Sequence, residues 1–152
     1  MPKFAPFVTA HTGCENTPEN SMEAILAGIS AGADIVEVDV CAARAGVPIL
    51  MHDSTVFVEG TPTPDGNLSV DEINMAMARN PGSEPLPPLT TLEEAFGVIG
   101  SHGVMVNIDL KDDRCIEGVV ELIRQHDLAS AVLITGCRAQ RADLVRAAAP
   151  EL

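Results

Sequence analysis

Hydrophobic and polar positions along this chain switch between two periods. Short apolar runs of strand character fall at Phe4–Ala10, Ile35–Cys41, Val47–Met51, Val104–Leu110 and Ala131–Thr135. Helical signals lie between them. Asn20, Ser21 and Glu23 open a helix that runs to about Ala31, with Asn20 and Glu23 at capping-box spacing and Gly32 as its stop. Ser69 caps Val70–Asn80, and Thr91 caps Leu92–Gly100. Ile116–His126 places Ile116, Val119, Val120 and Ile123 on one stripe, and Arg138–Ala149 closes the chain before Pro150. Residues 54–68 and Asn80–Pro88, rich in Pro, Gly and Thr, read as loops.

Strands that alternate with helices predict an α/β fold with parallel βαβ units. An open doubly wound sheet and a barrel both satisfy that pattern. The strands favour the barrel. In IVEVDV, Val36, Val38 and Val40 share one face while Glu37 and Asp39 share the other; in MVNIDLK, Val106, Ile108 and Leu110 alternate with Asn107, Asp109 and Lys111. One apolar face packs on helices and one polar face lines a lumen, whereas a doubly wound sheet shows more continuous apolar runs. The expectation is one domain over 1–152, with 54–88 as a loop-rich excursion carrying one short helix.

Composition narrows the function. Hydrophobic residues make up 46% of the 152, enough for a real core, while aromatic residues are only 3%, so stacking platforms for single-stranded nucleic acid are lacking. A net charge of −13 argues against a nucleic-acid or anionic-membrane binder. Cys14, Cys41, Cys115 and Cys137 form no C-x-x-C pair, and reduced thiols are the expectation. No apolar run reaches the roughly 18 residues of a membrane span, and no signal-like stretch opens the sequence, so a cytoplasmic protein is expected.

Candidate chemistry collects where strands end: His11-Thr12-Gly13 followed by Pro18-Glu19-Asn20-Ser21, then Glu37 and Asp39, then His52-Asp53, then Asn107 to Lys111. A carboxylate inside an apolar strand is costly without a compensating cation. Glu37, Asp39 and Asp109 are hard oxygen donors of the class that binds Mg²⁺ or Ca²⁺. His11 and His52 can exchange protons near neutral pH, and Lys111 offers positive charge to a phosphoryl oxygen.

The segments HTG, PENS, EVDV, MHD and NIDLK, with PLTTLEEAF before the fourth strand, resemble in order and spacing the hallmarks of the glycerophosphodiester phosphodiesterase family. Venom phospholipases D are similar in plan. The resemblance implies a (β/α)₈ TIM barrel, present here as roughly the first five βα units, since a full barrel takes about 250 residues. It implies metal-dependent hydrolysis of a small phosphodiester, such as glycerophosphocholine, to an alcohol and sn-glycerol 3-phosphate. It implies His11 and His52 as the catalytic pair, Glu37, Asp39 and Asp109 as ligands of Mg²⁺ or Ca²⁺, and Lys111, Thr12, Glu19 and Asn20 at the substrate.

Thr12 stands where the family has arginine, and Asp109 where glutamate is commoner. Glu15 competes with Glu19 for the family's E-N position, but Glu19 fits the spacing better. His102 and His126 read as exposed helix-end residues, and Asp112, Asp113 and Arg114 as a solvated loop and helix start. Two further readings remain at this point. One is a non-catalytic part-barrel that self-associates through strand edges or binds metal and phosphate. The other is a different Mg²⁺-dependent barrel enzyme acting on a phosphorylated metabolite.

Overall fold

A computed structural model describes residues 6–79 and 87–150. The elements in order are β1 (Thr9–Ala10), α1 (Met22–Ser30), β2 (Ile35–Ala42), β3 (Pro48–Leu50), β4 (Thr55–Val58), β5 (Thr61–Pro64), α2 (Val70–Ala78), α3 (Leu92–His102), β6 (Met105–Leu110), α4 (Ile116–Gln125), β7 (Val132–Thr135) and α5 (Ala139–Ala148). The main sheet runs β1-β2-β6-β7, all parallel, with β3 added to β2.

The strand expected at Val47–Met51 forms but runs antiparallel to β2, with Val40 opposite Leu50 and Ala42 opposite Pro48. Only a few residues separate it from β2, and a parallel crossover needs about a dozen. Ala45 and Gly46 turn the chain with φ of 62° and 77°. The loop expected over 54–68 contains the β4–β5 hairpin, turned at Glu59 and Gly60 with φ of 49° and 80°. The first strand is shorter than expected, and residues 1–5 and most of the Asn80–Pro88 loop lie outside the described residues.

Two apolar clusters hold these elements. Val36, Val38 and Val40 of β2 and Val106, Ile108 and Leu110 of β6 pack under α3 and α4, against Phe96, Ile99, Val119 and Ile123. A second cluster joins β2 and β3 to the hairpin and α2 through Cys41, Ile49, Val56 and Ile73. Helix α1 lies so close to β1 that a Cβ on Gly28 would fall 2.7 Å from that of Ala10.

The helix starts follow their caps. Ser69 and Thr91 each form the reciprocal capping box with Glu72 and Glu94. Helix α1 is capped by Ser21, whose side chain accepts from the Ala24 N–H; Asn20, expected in that role, has φ 54° and turns its amide elsewhere. His126 is half-buried, edge-on to Phe96 at 5.8 Å between centroids, rather than an exposed helix end. Arg114 is not simply solvated: it donates to the fully buried Asp65.

Candidate active site

The parallel register builds the site. Asp39 lies directly opposite Asp109, and Glu37 opposite Asn107, so the polar faces of β2 and β6 form one platform. On one side Ala10 pairs with Val36, which brings His11 and Thr12 beside Glu37. On the other side Thr135 of β7 pairs with Asp109. Because β3 runs back along β2, its end returns to this level: Met51 N donates to Asp39 O at 3.1 Å, and His52 follows.

Glu37, Asp39 and Asp109 each offer an oxygen, all within 4.8 Å of one another. Oxygens bound to one Mg²⁺ or Ca²⁺ at about 2.0–2.6 Å fit within such a span. Glu37 and Asp39 are 8% and 4% exposed, so both charges sit largely out of water. The Oδ1 atom of Asp109 is buried and has no hydrogen-bond partner. A buried carboxylate oxygen with no donor is costly, and a cation would satisfy it. The donor set therefore fits a hard divalent ion, while the orphaned oxygen, packed against Gly136, marks Asp109 as short of a partner.

The neighbouring groups orient the carboxylates. Thr12 N donates to Glu37 Oε2 at 3.0 Å. Asn20 Nδ2 donates to Asp39 Oδ2 at 2.9 Å, and Asp39 N donates back to Asn20 Oδ1 at 3.0 Å. The Thr12 hydroxyl accepts from Asn20 N, which ties the β1 loop to the same unit. Lys111 Nζ lies 3.0 Å from Asp39 and 2.7 Å from Asp109. Burial alone would lower the Lys111 pKa; its hydrogen bonds to Asp109 and Asp39, and their charge, overcome that and raise it.

The two histidines are exposed but differently held. His11 Nδ1 is 2.9 Å from the Thr12 carbonyl, which can only accept, so Nδ1 carries the proton and Nε2 is the basic nitrogen. That Nε2 lies 3.8 Å from Glu37 Oε2. His52 Nδ1 lies 2.8 Å from Asp53 Oδ1. This hydrogen bond, reinforced by the Asp39 charge, raises the His52 pKa above its ordinary value. Beside His52 opens a cavity of about 490 Å³ whose wall includes Glu19, Asn20, Phe57, Met77 and Leu89. Glu19 thus stands at the site's edge, while Glu15, in a short turn with φ 56°, is not part of that wall.

One neighbour escaped the sequence reading, and the task of another did. Gly136 approaches Asp109 so closely that a Cβ there would lie 2.0 Å from Oδ1. Its position in an apolar-strand-then-Gly pattern was the available signal. Asp53 was visible next to His52 but its orienting contact was not. The buried thiols are not nucleophiles: burial pushes Cys41 and Cys115 up to about 12.

The profile of the Glycerophosphoryl diester phosphodiesterase family matches residues 11–145. A glycerophosphodiester phosphodiesterase of Caldanaerobacter subterraneus subsp. tengcongensis is 28% identical over 156 residues, covering 95% of this chain and 63% of that protein. The crystal structure of glycerophosphodiester phosphodiesterase from Agrobacterium tumefaciens superposes with a TM-score of 0.79 at 21% identity, over 97% of this chain and 65% of that one. An Oleispira antarctica phosphodiesterase in complex with the product sn-glycerol-3-phosphate gives a TM-score of 0.72 at 24% identity, over 97% and 62%. These likenesses show the fold, a TIM barrel of which this chain forms a part with four parallel strands among the described residues. The chain spans less than two thirds of the length of these relatives. With its matched segment covering nearly all of the sequence, the chain belongs to the glycerophosphoryl diester phosphodiesterase family.

Proposed function

We propose that this chain carries the metal- and proton-transfer half of a phosphodiesterase that hydrolyses glycerophosphodiesters to an alcohol and sn-glycerol 3-phosphate. The observation that supports this most is the trio Glu37, Asp39 and Asp109, two of them buried and the third partly so, set between two histidines of unlike environment. Mg²⁺ or Ca²⁺ bound by the trio would supply Lewis-acid neutralisation of phosphoryl charge. His11, with Nε2 basic, accepts the proton of the attacking water, whose oxygen forms the new bond to phosphorus. His52, whose pKa is raised by its hydrogen bond to Asp53, donates a proton to the leaving alcohol oxygen as the P–O bond breaks. Lys111 bridges Asp39 and Asp109, offsets their mutual repulsion, and offers its remaining positive charge to the phosphoryl oxygens. Glu19 and Asn20 border the substrate, and the largely apolar cavity beside His52 gives room for the alcohol.

The test is product identity. Incubation with glycerophosphocholine should release sn-glycerol 3-phosphate and choline, and His11→Ala or His52→Ala should each abolish it. Release of glycerol and phosphocholine instead would assign the wrong bond. A Mg²⁺-dependent enzyme on a phosphorylated metabolite would release inorganic phosphate from a monoester and leave the diester intact. We place the reaction in a reducing compartment such as the cytoplasm, since all four thiols are free. No helix among the described residues is long and apolar enough to cross a membrane.

A second reading rests on the sheet edges. β1 and β7 end the main sheet, Leu133 of β7 is 44% exposed, and an apolar cleft lies between β7 and α5. Such an edge favours pairing with another chain, which makes a self-associating, metal-binding part-barrel the alternative. Light scattering separates them: a well-behaved monomer argues against association.

A further inference from the structure

On the β6–β7 side of the acidic trio lies a second cavity, of about 540 Å³, and its wall has the opposite character. It includes the cations Lys111, Arg138 and Arg141, together with Gly136 and two carboxylates, Asp109 and Asp113. Two of the three cations are committed. The Lys111 ammonium lies between Asp39 and Asp109. The Arg141 guanidinium donates to the carbonyls of Leu110, Gly136 and Lys111 and to Asp113, which fixes the β6 and β7 loops to each other. Arg138 makes no side-chain hydrogen bond or ion pair with the described residues.

The place of Arg138 also runs against local preference. It is the N-cap of α5, where an oxygen-bearing side chain would satisfy a free N–H, and it makes no such bond. Its charge opposes the positive end of the helix dipole. Arg138 is exposed to solvent on the cavity wall, and a guanidinium without a protein partner there is free to turn to an anion seated in the cavity. The Thr12 hydroxyl, on the other side of the trio, is buried and engaged with Asn20, so it offers no free charge to an anion.

We propose that Arg138 binds the phosphoryl group of the substrate, its planar fork reaching two oxygens of a phosphate seated in this cavity beside Asp109. The inference rests on the phosphodiesterase reading. It adds a phosphate-binding residue on β7–α5, so the phosphate is held from the Lys111 side of the platform while the alcohol leaves toward His52.

The test is calorimetric titration of sn-glycerol 3-phosphate into the chain with saturating Mg²⁺, for wild type, Arg138→Gln, Arg138→Lys and Arg146→Gln. Loss of charged hydrogen bonds predicts at least about tenfold weaker binding for Arg138→Gln. Arg138→Lys should recover part of it, as a point charge without the fork. Arg146→Gln, on the same helix and paired with Asp143, should bind as wild type. Equal affinity of the Arg138 variants and wild type overturns the proposal, as does equal weakening by Arg146→Gln or no binding by wild type. Should Arg138→Gln not fold, Arg138→Lys decides by the same comparison. Hydrolysis of glycerophosphocholine, measured in parallel, keeps the two claims apart. Unchanged turnover in Arg138→Gln rejects Arg138 alone, whereas no turnover in any variant rejects the phosphodiesterase reading.

Discussion

Asn20 and Asp39 are joined by two hydrogen bonds of opposite sense, Asn20 Nδ2 to Asp39 Oδ2 at 2.9 Å and Asp39 N to Asn20 Oδ1 at 3.0 Å. The pair fixes one oxygen of Asp39 and leaves the other toward Lys111 and the trio. Partners that orient a ligand carboxylate typically matter by about 10–100-fold in metal affinity. Asn20→Ala is therefore expected to weaken Mg²⁺ or Ca²⁺ binding by about that factor. Calorimetric metal titration checks this, and unchanged affinity would remove Asn20 from the support of Asp39.

Gly136 is required for the position of Asp109. Its φ of 70° is left-handed, and an added Cβ would meet Asp109 Oδ1 at 2.0 Å and Leu110 O at 2.8 Å. Neither the backbone nor a carboxylate packed this tightly can yield cheaply. Gly136→Ala is expected to abolish metal binding and to cost about 1–3 kcal/mol of stability from the backbone conformation alone. Denaturant melts with and without Ca²⁺ read both effects; a variant that Ca²⁺ still stabilises like wild type would contradict it.

The Asp53 contact sets the pH range of His52. Hydrogen bonding to Asp53, then the charge of Asp39, raises the His52 pKa. As a general acid His52 works protonated, so activity falls as pH rises through that pKa. Removing the bond lowers it. Asp53→Asn should move the alkaline limb of the kcat profile to lower pH, with little change in the acid limb. An unmoved alkaline limb would show that His52 is not the acid.

The excursion after β3 is fastened to the barrel by Arg114. Asp65 is fully buried, its Oδ1 accepts from Gly66 N at 2.6 Å and Arg114 Nη2 at 2.8 Å, and its Oδ2 has no partner. Arg114 is half-exposed, so the pair is partly screened. Arg114→Ala is expected to cost about 1–3 kcal/mol, because it leaves a buried charge less satisfied. Asp65→Ala with Arg114→Ala should cost less than the sum of the two singles. Strict additivity in denaturant melts would mean the pair is not coupled.

Much of this was legible in the chain because strand alternation is a local signal. Glu37 and Asp39 among valines, and Asn107 and Asp109 among Val, Ile and Leu, announce a polar face before any partner strand is known. The direction of β3 was legible too, since the short Ala43–Val47 connection cannot make a crossover, but the expectation of alternating βαβ units hid it. Pro62 and Pro64 disguised the β4–β5 hairpin, because proline belongs only at sheet edges, where β5 in fact lies. Contacts between distant segments were not legible. Arg114 reaching Asp65, 49 residues earlier, and Arg141 tying two loops together depend on packing that no local pattern encodes. The resemblance puts Asn20 at the substrate, and the structure bonds it to Asp39; its capping-box spacing suggests a helix cap, a task that Ser21 next to it performs.

The central claim is that one divalent ion held by Glu37, Asp39 and Asp109 is required for glycerophosphodiester hydrolysis. The most direct measurement is the rate of sn-glycerol 3-phosphate release from glycerophosphocholine as Mg²⁺ or Ca²⁺ is titrated into metal-stripped protein, for wild type and Asp109→Asn. The expected rate rises from background, saturates with one ion per chain, and vanishes again with EDTA, while Asp109→Asn stays near background. A rate indifferent to metal and to EDTA, or equal in wild type and Asp109→Asn, would contradict it.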